Sequence, residues 1–398
     1  MEGPVVSGSQ PAHLSTRAPA SDDPLPLRRP HRTGRELRHL AEAIERGDLS
    51  ANGAFTEQCT TWLEEHLGAA RVLLTPSCTA ALDLAAGLVG LQEGDEVVMP
   101  SFTSVSTAVA VTRSGATAVF ADIDPATLNL DPSAAADAVT PRTRAIAPVH
   151  YAGVACDMEA FGNIARDQGM VLVEDAAHAV GATWRGARLG AVGDLGCLSF
   201  HETKNLSCGE GGALILRDAD LVDRAEILQN KGTNRKQFLS GQADHYTWVD
   251  HGASYLMSEL NAAFLWGQLE RLGDLTARRL AIWHAYHDLL AGLEQTGALR
   301  RPVVPADCGH NAHIYHVLLS DRAQRDRVIA TLAGAGIETA FHYVPLHSSP
   351  AGRRFGRVAG DMTTTEQVAD RLLRLPLWVG MTGEDVERVV DGLTAALG

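Results

Sequence analysis

The segment Ser199-Phe200-His201-Glu202-Thr203-Lys204-Asn205 runs into Cys208-Gly209-Glu210-Gly211-Gly212, so a lysine stands between an apolar run and a glycine-rich turn. A lysine just beyond a buried strand can be held in an apolar pocket where its ammonium form is disfavoured, which leaves a nucleophilic amine able to form a Schiff base. On this segment alone an ordinary surface lysine is the better reading. A second segment, Val171 to Asp175, is an apolar strand candidate that ends in an acid at its carboxyl end, the side of an α/β sheet where ligands collect. A lone strand-end Asp is more often a helix cap.

Together the two change the odds, because chemistry on pyridoxal phosphate (PLP) needs both an amine for the aldehyde and a carboxylate that keeps the pyridine nitrogen protonated. A third segment, Thr75-Pro76-Ser77-Cys78-Thr79-Ala80-Ala81-Leu82, turns from a strand into a helix through small and hydroxyl residues. The N–H groups at such a helix start, with the Ser77 and Thr79 hydroxyls, suit a phosphate dianion, although Ser or Thr there is equally a plain N-cap. In order along one chain, the three segments reinforce one another.

The elements that must position these residues are legible as short apolar runs separated by helix-length stretches. Residues 72–74, 96–100, 117–123, 145–151, 170–177, 196–200 and 212–217 are strand candidates, the α/β pattern of a mostly parallel sheet covered by helices on both faces. Residues 34–67 read as helical with a break at 47–53, and 254–292 as one long helix or two in series. Beyond them, IYHVLL, a helix from Asp321 to Leu332, IETAFHY and an amphipathic stretch from Gly383 to Ala396 suggest a small α+β domain. A chain of 398 residues fits one large and one small domain: a flexible extension over 1–24, a large domain over 25–270 and a small one over 271–398.

Composition narrows the function. A formal net charge of −14 argues against nonspecific nucleic-acid binding, and Arg28, Arg29, Arg32, Arg35 and Arg38 read as a solvated tail entering a helix. No apolar run approaches a membrane span. The six cysteines lack a CxxC pair, so no metal site or disulfide framework is expected, and with no secretion signal the expected location is the cytoplasm.

TPSCTAAL, PVHYAGVACDM, VEDAAHAV, SFHETKN with GEGGA, KGTNRKQF, SYLMSEL and FHYVPLH resemble the DegT/DnrJ/EryC1/StrS family of sugar aminotransferases, from about residue 25 to the end. The resemblance implies the aspartate-aminotransferase fold (fold type I), PLP as cofactor with pyridoxamine phosphate as its second form, and Lys204 as the Schiff-base lysine. It places Asp175 on the pyridine nitrogen, and Ser199, Ser77, Cys78 and Thr79 around the phosphate. His178 falls where the family commonly has a glutamine touching the ring's 3-oxygen. Ser254 falls where many members have an asparagine that reaches the neighbouring subunit's cofactor, which implies a homodimer with shared sites.

The loop with Lys231, Asn234 and Arg235 supplies cations in an acidic chain for the substrate's diphosphate, and the resemblance points to Asn311, His313, His342, Tyr343 and His347 for the sugar; solvated loop and core or surface histidine are the plainer alternatives. Ser104 departs from the family, which usually has a stacking aromatic there. Phe102, two residues away, would share its face on a strand. The implied reaction takes an amino group from L-glutamate to a nucleotide-linked keto-sugar, dTDP-4-keto-6-deoxyglucose. A C3 aminotransferase or a noncatalytic regulator of the same fold are the alternatives.

Overall fold

The computed structural model describes residues 23–47 and 49–398, so nearly all of the extension expected over 1–24 lies outside the described residues. The apolar runs form strands β1 (Arg71–Thr75), β2 (Glu96–Pro100), β3 (Thr117–Ala121), β4 (Thr143–Ile146), β5 (Val171–Asp175), β6 (Leu195–Ser199) and β7 (Gly212–Leu216). Further along come β8 (Tyr315–Leu318), β9 (Gly356–Val358) and β10 (Leu372–Leu375). Eight of these make one sheet in the order β1-β7-β6-β5-β4-β2-β3-β9. Only β7 runs against its neighbours; the other pairings are parallel.

Alternation along each strand supplies both faces of the sheet with apolar side chains. Val97 and Met99 pack with Ala81, Leu82, Ala85 and Leu88 of helix α1 (Cys78–Val89). Val98, between them in sequence, packs on the other face with Met158, Phe161 and Ala165 of helix α2 (Met158–Gln168). Because the parallel strands share a direction, their carboxyl ends Thr75, Asp175 and Ser199 emerge on one edge. Gly212 is opposite both Thr75 and Ser199, which levels β1 with β6.

The stretch expected as one or two helices is two, α3 (Glu259–Leu269) and α4 (Leu272–Leu289). A second core gathers Tyr286 of α4, Tyr315 and Val317 of β8, Leu373 of β10 and Val389 and Leu393 of the last helix, Gly383–Leu397. Two contacts cross the boundary drawn at residue 270. Leu25 joins this second core and bridges Ile337, while β9, from beyond the boundary, pairs with β3 in the large sheet. IETAFHY forms only isolated bridges at Ile337 and Ala340. Among the described residues no helix is long and apolar enough to cross a membrane.

The far end of the sheet is tied by one carboxylate. Glu96, 2% exposed, accepts hydrogen bonds from Arg357 of β9 (2.8 and 3.1 Å), from Arg142 just before β4 (2.6 and 3.2 Å) and from Thr140 (2.7 Å). The Arg357 bonds, with those from Thr140 and Arg142, overcome the effect of burial and hold its carboxyl down to about 2. A carboxyl with a depressed folded value contributes stability above its unfolded value of 4.5, and that contribution fades as pH falls from there toward about 2. Thermal unfolding of Glu96→Gln should show a melting temperature several degrees lower at pH 7 and a flatter acid limb; equal pH profiles would contradict this role.

Candidate active site

At the carboxyl edge of the sheet lies a cavity of about 300 Å³, large enough to hold a small organic ligand. Lys204, Asp175, His178, Ser199, Ser77, Cys78, Thr79 and Tyr343 all line it. Thus one wall collects residues separated by more than 260 positions in sequence. Ser104, His201, Thr203 and Glu210 line it as well.

Lys204 sits five residues past the end of β6, in a turn closed by its own N–H donating to the His201 carbonyl (2.9 Å). Its Nζ has no hydrogen-bond or ion-pair partner among the described residues. Burial brings its ammonium down to about 8, and the nearby Asp175 carboxylate is among the groups that offset part of that fall. At neutral pH roughly a tenth of such an amine is unprotonated, against less than a thousandth at the ordinary lysine value. The chain has only two other lysines, Lys231 and Lys236; its remaining 31 of 34 basic residues are arginine.

Asp175 ends β5 with its side chain 3% exposed. Its Oδ1 accepts from the Ala177 N–H (3.1 Å) and its Oδ2 from the Thr107 hydroxyl (2.7 Å). No cation pairs with it among the described residues. Two neutral donors leave about two lone-pair sites of the carboxylate free for a ligand N–H.

Helix α1 begins where β1 ends. Ser77 is its N-cap, with Oγ accepting from the Ala80 N–H (3.1 Å), and the first-turn N–H groups of Cys78 and Thr79 have no intrahelical acceptor. The Thr79 hydroxyl donates to Ser106 Oγ (2.9 Å), and Ser199 comes in from β6. Gly212 lets the turn settle here. A Cβ on it would lie 2.5 Å from the Ser77 carbonyl carbon and the Cys78 nitrogen, so any larger residue would push the helix start off the sheet.

His178 accepts from the Ala152 N–H through Nδ1 (3.4 Å). Burial, and then the charge of Lys204, hold its ring well below the ordinary histidine value, so the ring is neutral, and its proton is on Nε2. His313 stacks on it at 4.1 Å between centroids and bonds Asn205 Oδ1 through Nδ1 (2.9 Å). Asn205 in turn donates to the Asn311 carbonyl (2.9 Å), and Asn311 Nδ2 donates to the carbonyls of His178 (2.8 Å) and Val180 (2.9 Å). These three residues therefore couple the loop after Asp175 to the neighbour of Lys204.

The other residues expected on the substrate side lie outside the cavity wall. His342 is used at both nitrogens, by the Tyr151 hydroxyl (3.2 Å) and Arg374 (2.7 Å), and its ring lies flat on Tyr343 at 4.0 Å. His347 bonds Ser101 through Nδ1 (2.7 Å) and Glu366 through Nε2 (3.3 Å). Lys231, Asn234 and Arg235 belong to a lobe over residues 230–254, whose base is the Asn230–Ser254 bridge. Lys231, Arg235 and Ser254 are exposed there. Asn234 accepts from the Thr247 N–H (2.8 Å) and donates to the His245 carbonyl (2.9 Å).

Ser104 caps the helix Val105–Arg113 with its hydroxyl (3.4 Å to the Ser106 N–H) and carries no ring to the cavity. Phe102 does not replace one. The strand ends at Pro100, so the alternation expected at Phe102 does not hold, and its 1% exposed ring packs edge-on against Tyr151 (5.1 Å) and Tyr343 (5.5 Å). Sequence reasoning also passed over Thr103, Ser106 and Thr107. Their signal was the run Ser101-Phe102-Thr103-Ser104-Val105-Ser106-Thr107, five hydroxyls at a strand's carboxyl end.

This donor set fits PLP: an unpaired amine, a carboxylate with free lone pairs, an imidazole Nε2–H and a helix start ringed by hydroxyls. If Lys204 captures the aldehyde as a free amine, the rate of covalent uptake by cofactor-free protein should rise with pH around a midpoint near 8. Stopped-flow absorbance over a pH series measures it, and a rate still climbing tenfold per unit through pH 9 would contradict the depressed value. Gly212→Ala should weaken cofactor binding roughly 100-fold or more, as expected when a buried backbone contact is overpacked.

Residues 30–394 match the model of the DegT/DnrJ/EryC1/StrS aminotransferase family. The chain is 36% identical to the spore coat polysaccharide biosynthesis protein SpsC of Bacillus subtilis, over 90% of this chain and 93% of that one. It is 33% identical to a GDP-perosamine synthase of Caulobacter vibrioides, over 92% and 97% of the two chains. Its fold matches the crystal structure of the aminotransferase TlmJ from Streptoalloteichus hindustanus with a TM-score of 0.83, at 34% identity and covering 91% and 96% of the chains. The chain belongs to the DegT/DnrJ/EryC1/StrS aminotransferase family, whose members are PLP-dependent enzymes of fold type I.

Proposed function

We propose that the protein moves an amino group from L-glutamate to dTDP-4-keto-6-deoxyglucose, giving a dTDP-4-amino-4,6-dideoxyhexose, with PLP bonded to Lys204 and its pyridoxamine form held noncovalently in the same cavity. The observation that carries this is Lys204 itself, an unpaired amine of lowered basicity in the same cavity as Asp175 and the hydroxyl-ringed start of α1. Similarity to a GDP-perosamine synthase supports a nucleotide-linked sugar as acceptor.

Bound in this cavity, the cofactor supplies an electron sink for the carbon that loses its proton. Asp175 would hold the proton on the pyridine nitrogen, and the His178 Nε2–H would face the ring's 3-oxygen. Ser77, Thr79 and Ser199, with the N–H groups of Cys78 and Thr79, would hold the phosphate. The Lys204 Nζ, when not bonded to the cofactor, would take up and return the proton of the reacting carbon, which suits an amine of lowered basicity.

The substrate diphosphate meets Lys231, Asn234 and Arg235 of a second copy of the chain, and Ser254 of that copy reaches the cofactor phosphate. Supporting this, the 230–254 lobe exposes five large apolar side chains within twelve residues, Phe238 (41%), Leu239 (70%), Tyr246 (52%), Trp248 (69%) and Val249 (51%), the kind of exposure that marks an interaction surface when the side chains cluster. On the sugar side Tyr343 is the expected residue that both lines the cavity and has a hydroxyl without a hydrogen-bond partner among the described residues. Asn311, His313, His342 and His347 spend polar atoms inside the protein and position the wall.

The test is a two-step titration of the PLP-loaded protein. L-Glutamate should bleach its visible absorbance, dTDP-4-keto-6-deoxyglucose should restore it, and NMR of the product should place the amine at C4. Bleaching without recovery would replace the sugar, and an amine at C3 would overturn the position of transfer.

A further inference from the structure

Resting on the assignment of Asp175 to the cofactor's pyridine nitrogen, we propose that Thr107 is a positioning residue for cofactor binding and chemistry, because its hydroxyl is the contact from another element that aims the Asp175 carboxylate. Thr107 lies in the first turns of the helix Val105–Arg113, 1% exposed, and donates to Asp175 Oδ2 at 2.7 Å. Among the described residues the other oxygen is held only by the N–H of Ala177, two residues along the same loop. A carboxylate anchored by its own loop alone can turn with that loop. One that also takes a bond from a helix packed across the sheet edge cannot.

The direction of the hydroxyl hydrogen is fixed by chemistry. An ionised carboxylate can only accept, so Thr107 donates. Its oxygen then has a lone pair for Thr103, whose Oγ1 is 3.4 Å away and which lines the cavity. No cation pairs with Asp175 among the described residues, so these neutral donors hold the carboxylate in place for the ring N–H. Removing the Thr107 hydroxyl leaves Oδ2 buried and unmatched and frees the carboxylate to turn with its loop. The ring nitrogen then loses a partner held in a fixed direction.

The experiment compares Thr107→Val, close in shape but lacking the hydroxyl, with Thr107→Ser, which restores it. Equilibrium dialysis should show the Kd for PLP raised roughly 10- to 100-fold in Thr107→Val, the loss expected for one hydrogen bond to a charged group, and within about threefold of the parent in Thr107→Ser. A pH titration of the bound cofactor's absorbance should shift in Thr107→Val and return in Thr107→Ser, and kcat should fall with KM for the donor little changed. Unchanged Kd and spectrum in Thr107→Val would overturn the proposal, as would a loss confined to thermal stability of the cofactor-free protein. Parent protein that binds no PLP would instead overturn the cofactor assignment on which it rests.

Discussion

Taking an amine out of water without a counter-charge in contact is unfavourable, and the structure does this at Lys204. Its Nζ has no partner among the described residues, and burial lowers its pKa to about 8. The cost is met by the rest of the fold, because a surface loop could not exclude water from a side chain as long as lysine. Buried strands β6 and β7 support the turn, and apolar packing around Phe200, Leu206 and Cys208 closes it from below. An amine kept in this state is ready both to bond a carbonyl carbon and to accept a proton from a neighbouring one.

The remaining site follows from sheet geometry. Parallel strands end on one edge, so Asp175, Ser199 and the turn after Thr75 meet there without any long-range design beyond register. Gly212 fixes that register locally, since it lies against both Thr75 and Ser199 and admits the backbone of Ser77 and Cys78 at a distance that excludes a side chain. The C-terminal elements contribute less by touching a ligand than by bracing: Asn311 and His313 hold the His178 loop against Asn205, while His342 and Arg374 hold Tyr343 in the wall.

Much of this was legible in the sequence. The apolar runs became strands with ends within a few residues of those expected, because a strand buried on both faces must be almost wholly apolar, and its polar terminal residue marks where it leaves the core. Lys204, Asp175, Ser77 and Thr79, which line one cavity, were legible for the same reason: each follows a recognisable strand or begins a recognisable helix, whereas Ser199 and His178 were singled out by the family resemblance. Thr107 was passed over: the hydroxyl-rich run around it marks the strand's carboxyl end, but a threonine in a helix does not reveal that its hydroxyl meets a carboxylate 68 positions away. Short β9 and β10 were missed too, because three- and four-residue strands carry almost no periodicity. The histidines near the C-terminus were expected on the sugar side by resemblance, but whether a ring nitrogen faces a ligand or another side chain depends on tertiary contacts that spacing does not encode.

The scarcity of lysine makes the central claim directly testable. Reduction of the PLP-loaded protein with borohydride, followed by digestion and peptide mass mapping, can place the fixed cofactor on Lys204, Lys231 or Lys236 without ambiguity. A single modified peptide carrying Lys204 is the predicted result. Label on Lys231 or Lys236 instead, or no label on a protein that has bound PLP, would contradict the account.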